Sequence, residues 1–248
     1  MNSTDSCKTI AVIPVYNETG RILKVLAKFK DNIVDEICIV ADCTSKKDFK
    51  KIRQEVKKVE TSVHIIENET RMGIGFAIKK GINYAVERGY DVVVVMAGNN
   101  KDDPNEIPKL LKPILTEGFD YVQGSRFMNG GVRKKNPILR GFFSRVYPFI
   151  WTLFTKIRCS DVTNGFRAYK LEIFKDSRIN IGQRWLNGYG LEYYIHYKVL
   201  TLGYNMKEVP VSKTYPFRNK GGYSKIQPLT DWWDIVGPLI CLKLGVKQ

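Results

Sequence analysis

Two carboxylates, Glu18 and Asp42, stand at the ends of apolar, β-branched runs that begin at Thr9 and Val34. A carboxylate only accepts hydrogen bonds, so at a strand end it suits the hydroxyl and amide donors of a ligand. Glu18 also reads as a first-turn carboxylate favoured by a helix dipole. Gly73-Ile74-Gly75 opens a helical pattern, where backbone N–H groups can approach a phosphate, and Arg71 precedes it as a cation for the same charge. The stretch Met96-Ala97-Gly98-Asn99-Asn100-Lys101-Asp102-Asp103-Pro104 offers oxygen donors and, in Lys101, a point charge for phosphate. Further on come Arg126, then Arg140 and Ser144 on one face if that stretch is helical, and later Arg218, Ser224 and Lys225. Guanidinium groups grip phosphate in bidentate fashion. Asp161 and Glu192 are the remaining acids. An attacking sugar hydroxyl needs a general base, whereas a phosphate acceptor is already ionised at neutral pH and needs none.

These residues need a frame, and the first 125 residues supply an alternating one. Strands are predicted over 9–15, 34–40, 62–66, 91–96 and 120–124, and helices over 20–30, 45–58, 73–88 and 104–117. Alternation of this kind predicts a mostly parallel sheet with helices on both faces, and ligands bind beyond the carboxyl ends of such strands. Residues 15–18, 41–44 and 97–103 fall there. The second half is rich in aromatics. Residues 136–157 and 229–246 each suit a helix lying in a membrane interface with basic flanks, or alternatively a buried helix pair or a dimer face.

Over 248 residues, Lys and Arg number 40 against 25 Asp and Glu, a net charge of +15. Nucleic acid, an anionic membrane or a phosphorylated substrate could each answer that charge, as could a plainly solvated lysine surface. No RNA-binding signature accompanies it, which argues against a nucleic-acid partner. The five cysteines include no CxxC pair, and Cys38 lies in an apolar run; the expectation is a reducing, cytoplasmic setting. Neither a secretory leader nor an apolar run long enough to span a bilayer is visible.

The ordered set Ile13-Pro14-Val15-Tyr16-Asn17-Glu18, Ala41-Asp42-Cys43-Thr44, Gly73-Ile74-Gly75, residues 96–104, Gly124-Ser125-Arg126, residues 161–167, Glu208-Val209-Pro210-Val211 and Gly222-Tyr223-Ser224-Lys225 resembles the inverting family 2 glycosyltransferases, in their dolichyl-phosphate mannosyltransferase-like branch. The resemblance implies a GT-A fold, an α/β class, over residues 1–227, with 228–248 as an amphipathic aromatic segment. It implies that Pro14, Tyr16, Asn17, Glu18, Asp42, Arg71, Gly73, Gly75, Gly98 and Asn99 bind a nucleoside-diphosphate-sugar. It implies that Arg126, Arg140, Ser144, Arg218, Ser224 and Lys225 bind a lipid-phosphate or glycan acceptor, and that Asp103, Lys101, Glu192 and Asp161 are catalytic candidates. The family's Asp-x-Asp reads Ala97-Gly98-Asn99 here, so Mg²⁺ or Mn²⁺ on Asn99 and Asp103 is weakly supported, and Lys101 is the alternative source of charge. The expected activity is inverting sugar transfer at the inner face of a membrane. The alternatives are a non-catalytic relative of such enzymes and a nucleotidyltransferase. The oligomeric state stays open.

Overall fold

A computed structural model describes residues 7–134, 138–215 and 231–247, with the side chains of 134, 138–143 and 231–235 left out of account. The expected N-terminal order is present. β1 (Thr9–Val15), β2 (Glu36–Asp42), β3 (Ser62–Asn68), β4 (Val92–Val95) and β5 (Tyr121–Ser125) alternate with α1 (Thr19–Leu26), α2 (Lys46–Glu55), α3 (Ile74–Glu87) and α4 (Ile107–Glu117). The second half adds β6 (Val132–Lys134), α5 (Ile138–Thr155), β7 (Arg167–Lys170), α6 (Gly190–Thr201), β8 (Met206–Pro210), β9 (Ser212–Thr214) and α7 (Asp231–Lys243).

The main sheet runs β3-β2-β1-β4-β7-β5-β8. β1, β2, β3 and β4 pair in parallel, as do β5 and β8, while β7 runs antiparallel between β4 and β5. β6 and β9 form a separate parallel pair. β1 is buried at every residue, as a central strand covered on both faces must be. Pro14 fits there because the β1–β4 ladder ends at Val12↔Val95. The Pro14 carbonyl accepts from Gly98 N at 3.4 Å, so its nitrogen faces the same side, past the last ladder pair.

Side chains alternate across the sheet and build two cores. On one face Val12, Cys38, Val40 and Val93 meet Ala77, Ile78 and Ile82 of α3 and Leu191, Ile195 and Val199 of α6. On the other, Ala11, Ile13, Ile39 and Val94 meet Ile22 and Val25 of α1, Ile52 of α2 and Leu110 and Ile114 of α4. Cys38 is the small core residue expected, and burial pushes its thiol up to about 12. A third cluster joins Tyr147 and Trp151 of α5 to Tyr193 of α6 and Leu239 of α7. α5 therefore buries one stripe and leaves another, Phe149 and Leu153, 72% and 59% exposed. α7 packs on α6 and α5, and the expected boundary at 227/228 lies outside the described residues. Among the described residues no helix is long and apolar enough to cross a membrane.

Candidate active site

Three non-glycine residues in the left-handed region, Asn17 (φ 49°), Cys43 (φ 55°) and Asn100 (φ 58°), follow the carboxyl ends of β1, β2 and β4. Such conformations persist only where surrounding structure enforces them, and they concentrate at functional sites. β1 lies between β2 and β4, so the connections reverse direction here, and open α/β sheets hold their ligands in the crevice outside such a reversal point.

On the β2 side, buried Asp42 accepts from the backbone N–H groups of Met72 and Gly73, both at 2.9 Å, and from Asn68 Nδ2 at 3.3 Å. The carboxylate thus moors the start of α3. Arg71 stacks its guanidinium 4.6 Å from the Tyr16 ring centroid, which brings two of the expected donor-site residues together. Glu18 pairs with Arg21 at 3.1 Å. Asn17 is exposed at the crevice rim, and Gly98 lies so close to β1 that a Cβ would sit 2.8 Å from Val15 Cγ2.

Gly73 and Gly75 prove to have a packing reason. The turn Arg184–Asn187 presses onto the start of α3, and a Cβ on Gly75 would sit 2.1 Å from the Leu186 carbonyl oxygen. Gly73, at φ 99°, would place its Cβ 2.5 Å from the Asn187 oxygen. Lys79 holds that turn by donating to Gln183 O at 3.1 Å and Asn187 Oδ1 at 2.5 Å, and burial lowers its pKa. The glycine pair was expected to let backbone approach a phosphate; what approaches it here is protein backbone.

The β4 loop carries the departed Asp-x-Asp. Asn99 Oδ1 accepts from the Lys101 backbone N–H at 3.1 Å. Asp102 is buried and paired with Lys213 at 2.8 Å, and Lys213 also donates to Asn164 Oδ1 at 2.8 Å. Asp103 Oδ1 accepts from Asn105 N and Nδ2 at 3.0 and 2.9 Å, capping the turn that leads into α4. Lys101 is 8% exposed, with its ammonium 5.5 Å from the Tyr215 ring centroid. Hard cations prefer several carboxylate oxygens. Ala97 offers none, Asp102 already faces a lysine, and among the described residues no three His, Cys, Asp or Glu side chains gather. This donor set does not fit a tightly held Mg²⁺ or Mn²⁺.

Across the crevice, two expected site residues bind each other. Arg126 meets Asp161 through Nε–Oδ2 and Nη2–Oδ1, both 2.7 Å, and donates to Thr163 Oγ1 at 2.6 Å and Tyr215 Oη at 2.9 Å. The pair is buried, 1% and 0% exposed, and the carboxylate holds the guanidinium firmly charged. Arg126 was expected on an acceptor phosphate and Asp161 as a catalytic acid. Buried together, each is the other's partner in this structure. Glu192 differs. A Cβ on Gly165 would sit 2.6 Å from its Oε1, and the carboxylate makes no hydrogen bond or ion pair among the described residues. Ser144 is buried on α5. Arg133 stacks 4.2 Å from the Phe127 ring, and burial together with Arg145 and Arg126 lowers its pKa, the mark of crowded positive charge. The Arg140 side chain and all of Arg218, Ser224 and Lys225 lie outside the described residues.

Sequence reasoning assigned no role to Glu208, Lys213, Asn164 or Tyr215. Glu208 accepts from Ser160 N at 2.9 Å and Asp161 N at 3.1 Å, so it sets the backbone that carries Asp161. The signal was available for two of these: Glu208 and Asn164 stand inside stretches that carry the family resemblance.

Residues 10–178 match the family described as Glycosyl transferase family 2. The undecaprenyl-phosphate mannosyltransferase of Micrococcus luteus is 27% identical over 205 residues, covering 83% of this chain and 83% of that protein. The polyprenol monophosphomannose synthase of Mycolicibacterium smegmatis is 24% identical over 208 residues, covering 84% of this chain and 77% of that protein. Among solved structures, the glucosyl-3-phosphoglycerate synthase of Mycobacterium tuberculosis, in complex with Mn²⁺, uridine diphosphate and phosphoglyceric acid, superposes with a TM-score of 0.69 at 18% identity, over 98% of this chain and 80% of that one. At that identity the likeness establishes the fold, a GT-A-type α/β architecture.

Proposed function

The chain belongs to glycosyl transferase family 2, and from that premise we propose that it moves a hexose from a nucleoside diphosphate to the phosphate of a polyprenyl phosphate, inverting the anomeric carbon. The observation that carries this reading is the alignment of most of the chain with enzymes named for polyprenyl-phosphate mannosyl transfer. The crevice between the β1 and β4 loops takes the nucleotide, with Tyr16, Arg71 and the loop moored by Asp42 as its wall.

An acceptor phosphate oxygen forms a bond to the anomeric carbon while the bond from that carbon to the diphosphate oxygen breaks. The nucleoside diphosphate departs with the electron pair. The transition state has oxocarbenium character, as in glycoside hydrolysis. A phosphate nucleophile is already ionised, so no side chain must take its proton, which agrees with Asp161 being locked to Arg126. Glu192, with its carboxylate uncommitted among the described residues, is available to a hydroxyl of the sugar. Arg133 and Arg145, crowded together beside Ser144, supply positive charge for the acceptor phosphate.

A peripheral position on the inner face of the membrane completes the reading. Phe149 and Leu153 are exposed one turn apart on α5, and Arg145 is exposed one turn before them. An apolar stripe with a basic flank suits an anionic bilayer surface.

The test is transfer of label from UDP- and GDP-hexoses to undecaprenyl phosphate in mixed micelles. A labelled lipid is expected with the phosphate and none with undecaprenol. Release of free sugar without labelled lipid would overturn the acceptor assignment.

A further inference from the structure

We propose that Gly165 and Arg167 are positioning residues for Glu192: a bare Cα and a buried guanidinium together hold its carboxylate over the turn before β7, where it takes a hydroxyl of the donor hexose. The inference deepens the proposed function and rests on that reading of the crevice as a nucleotide-sugar site.

The first observation is where the three residues lie. β7 runs antiparallel to β4 and β5, with Arg167 opposite Val95 on one side and Gln123 on the other. The turn that enters β7, residues 161–166, therefore stands at the carboxyl ends of β4 and β5, the end at which open α/β sheets hold ligands. Glu192 lies in the first turn of α6. The turn Arg184–Asn187 before that helix presses onto Gly73 and Gly75 at the start of α3, which Asp42 moors. The start of α6 is thus placed between the Asp42 side of the crevice and the Asp161 side.

The second observation is the glycine. A Cβ on Gly165 would sit 2.6, 3.1 and 3.2 Å from Glu192 Oε1, Oε2 and Cδ, so the carboxylate fills the space a side chain would take. Gly165 has no positive φ, so the left-handed region is not what calls for glycine here. Gly73 and Gly75 face backbone, whereas Gly165 faces the end of a flexible side chain. A methyl at this position can be absorbed by swinging the carboxylate aside, which spares the fold and spoils the aim of Glu192.

The third observation is the clamp. Arg167 is 1% exposed, and its guanidinium donates to Asn164 O and Val162 O, both at 2.8 Å, and to Glu192 O at 2.5 Å. One planar group thus ties the turn that carries Gly165 to the residue that carries the carboxylate. Asn164 fixes the same turn by donating to Gly124 O at 2.9 Å and accepting from Lys213 at 2.8 Å. A carboxylate accepts from hydroxyls, and a site built to hold a hydroxyl rejects the analogue that lacks it.

The experiment measures kcat/KM for transfer to undecaprenyl phosphate from the hexose donor that the parent uses, and from the same donor lacking each sugar hydroxyl in turn. In the parent at least one deoxy donor is expected to lose about tenfold or more, and Glu192→Ala should shrink that loss to within about twofold. Gly165→Ala should lower kcat/KM for the full donor by about tenfold and flatten the same deoxy loss. It should leave the urea midpoint and the Kd of the nucleoside diphosphate nearly unchanged, since the diphosphate lacks the hexose. In the Glu192→Ala background, where the clash is gone, Gly165→Ala should cost less than about twofold. Arg167→Lys keeps the charge but cannot reach three carbonyls at once, and it should flatten the deoxy profile in the same way. A parent indifferent to every deoxy donor, a profile that Glu192→Ala or Gly165→Ala leaves unchanged, or losses from the two variants that simply multiply would each overturn the inference while the sugar-transfer reading stands. A folded parent that transfers no hexose to the lipid phosphate would take both down. Should Gly165→Ala fail to fold, Arg167→Lys takes its place in the cycle with Glu192→Ala.

Discussion

Asp42 and Asp161 are both buried carboxylates that accept from two backbone N–H groups, yet only Asp161 is matched with a buried counter-ion. Asp42, on the β2 side, is held by two backbone N–H groups and an amide. Asp161, at the turn before β7, also accepts from two backbone N–H groups, Arg126 N at 3.0 Å and Thr163 N at 3.2 Å, but faces a buried guanidinium besides. Arg167 nearby shows the converse, since it is fully buried and donates to the carbonyls of Asn164, Val162 and Glu192. Backbone dipoles keep a charge in place without a second ion, so the β2 side tolerates change in one partner. The region around β5 and β7 depends on a matched ion pair, and loss of either member strands the other.

The largest test of that contrast removes one member of the pair. Asp161→Asn should cost about 3–5 kcal/mol of unfolding free energy. Asp42→Asn keeps one acceptor oxygen and should cost only about 1–3 kcal/mol. Urea titration of both variants compares them; equal losses would erase the distinction between the regions.

Next in size is Gly75→Ala. The methyl would meet the backbone carbonyl of Leu186 rather than a yielding side chain. A loss of about 1–3 kcal/mol is expected, read from the same titration. A neutral result would mean the Arg184–Asn187 turn moves freely off α3, and the β2 side would be the softer region.

A smaller effect follows from His196, which is buried between the halves. Gln123 Nε2 donates to Gly124 O and Asn164 O, so Gln123 Oε1 takes the Tyr121 hydroxyl proton, and the Tyr121 oxygen accepts from His196 Nδ1 at 2.8 Å. Its Nε2 is buried without a partner among the described residues, and burial, helped by Arg167, drives its pKa well below 6.5. Below pH 6.5 the unfolded chain takes up a proton that the folded chain refuses. Stability is therefore full above that pH and falls as pH drops, by at most about 1.4 kcal/mol per pH unit. His196→Gln should flatten the stability profile of the wild type between pH 7 and 5. An unchanged slope would place the acid sensitivity elsewhere.

The smallest effect on folding should come from Phe149→Ser/Leu153→Ser on the exposed face of α5. Stability is expected to stay within about 0.5 kcal/mol, while sedimentation with anionic vesicles drops several-fold. Unchanged vesicle binding would take α5 out of the proposed membrane contact.

The alternation of the first 125 residues was legible in local pattern alone, because a strand period and a helix period are written in consecutive residues. β1 matches the expected bounds, and α3 lies within a residue of its expected ends at both termini. The antiparallel insertion of β7 between β4 and β5, and the β6–β9 pair, were not legible, since strand pairing across the chain leaves no periodic trace.

For the site, the residue types determined which loops carry chemistry: a strand-end carboxylate, a helix-opening glycine pair, Ala97 and Asn99 where aspartates are expected with Lys101 beside them, arginines in the second half. Family resemblance set their order. Tertiary structure alone decided what those groups have left to offer. Asp102 and Lys213 are 111 residues apart, and Arg126 and Asp161 are 35 apart. A charged side chain taken out of water must find a partner wherever the fold brings one, and that search is settled by packing rather than by neighbours in the chain.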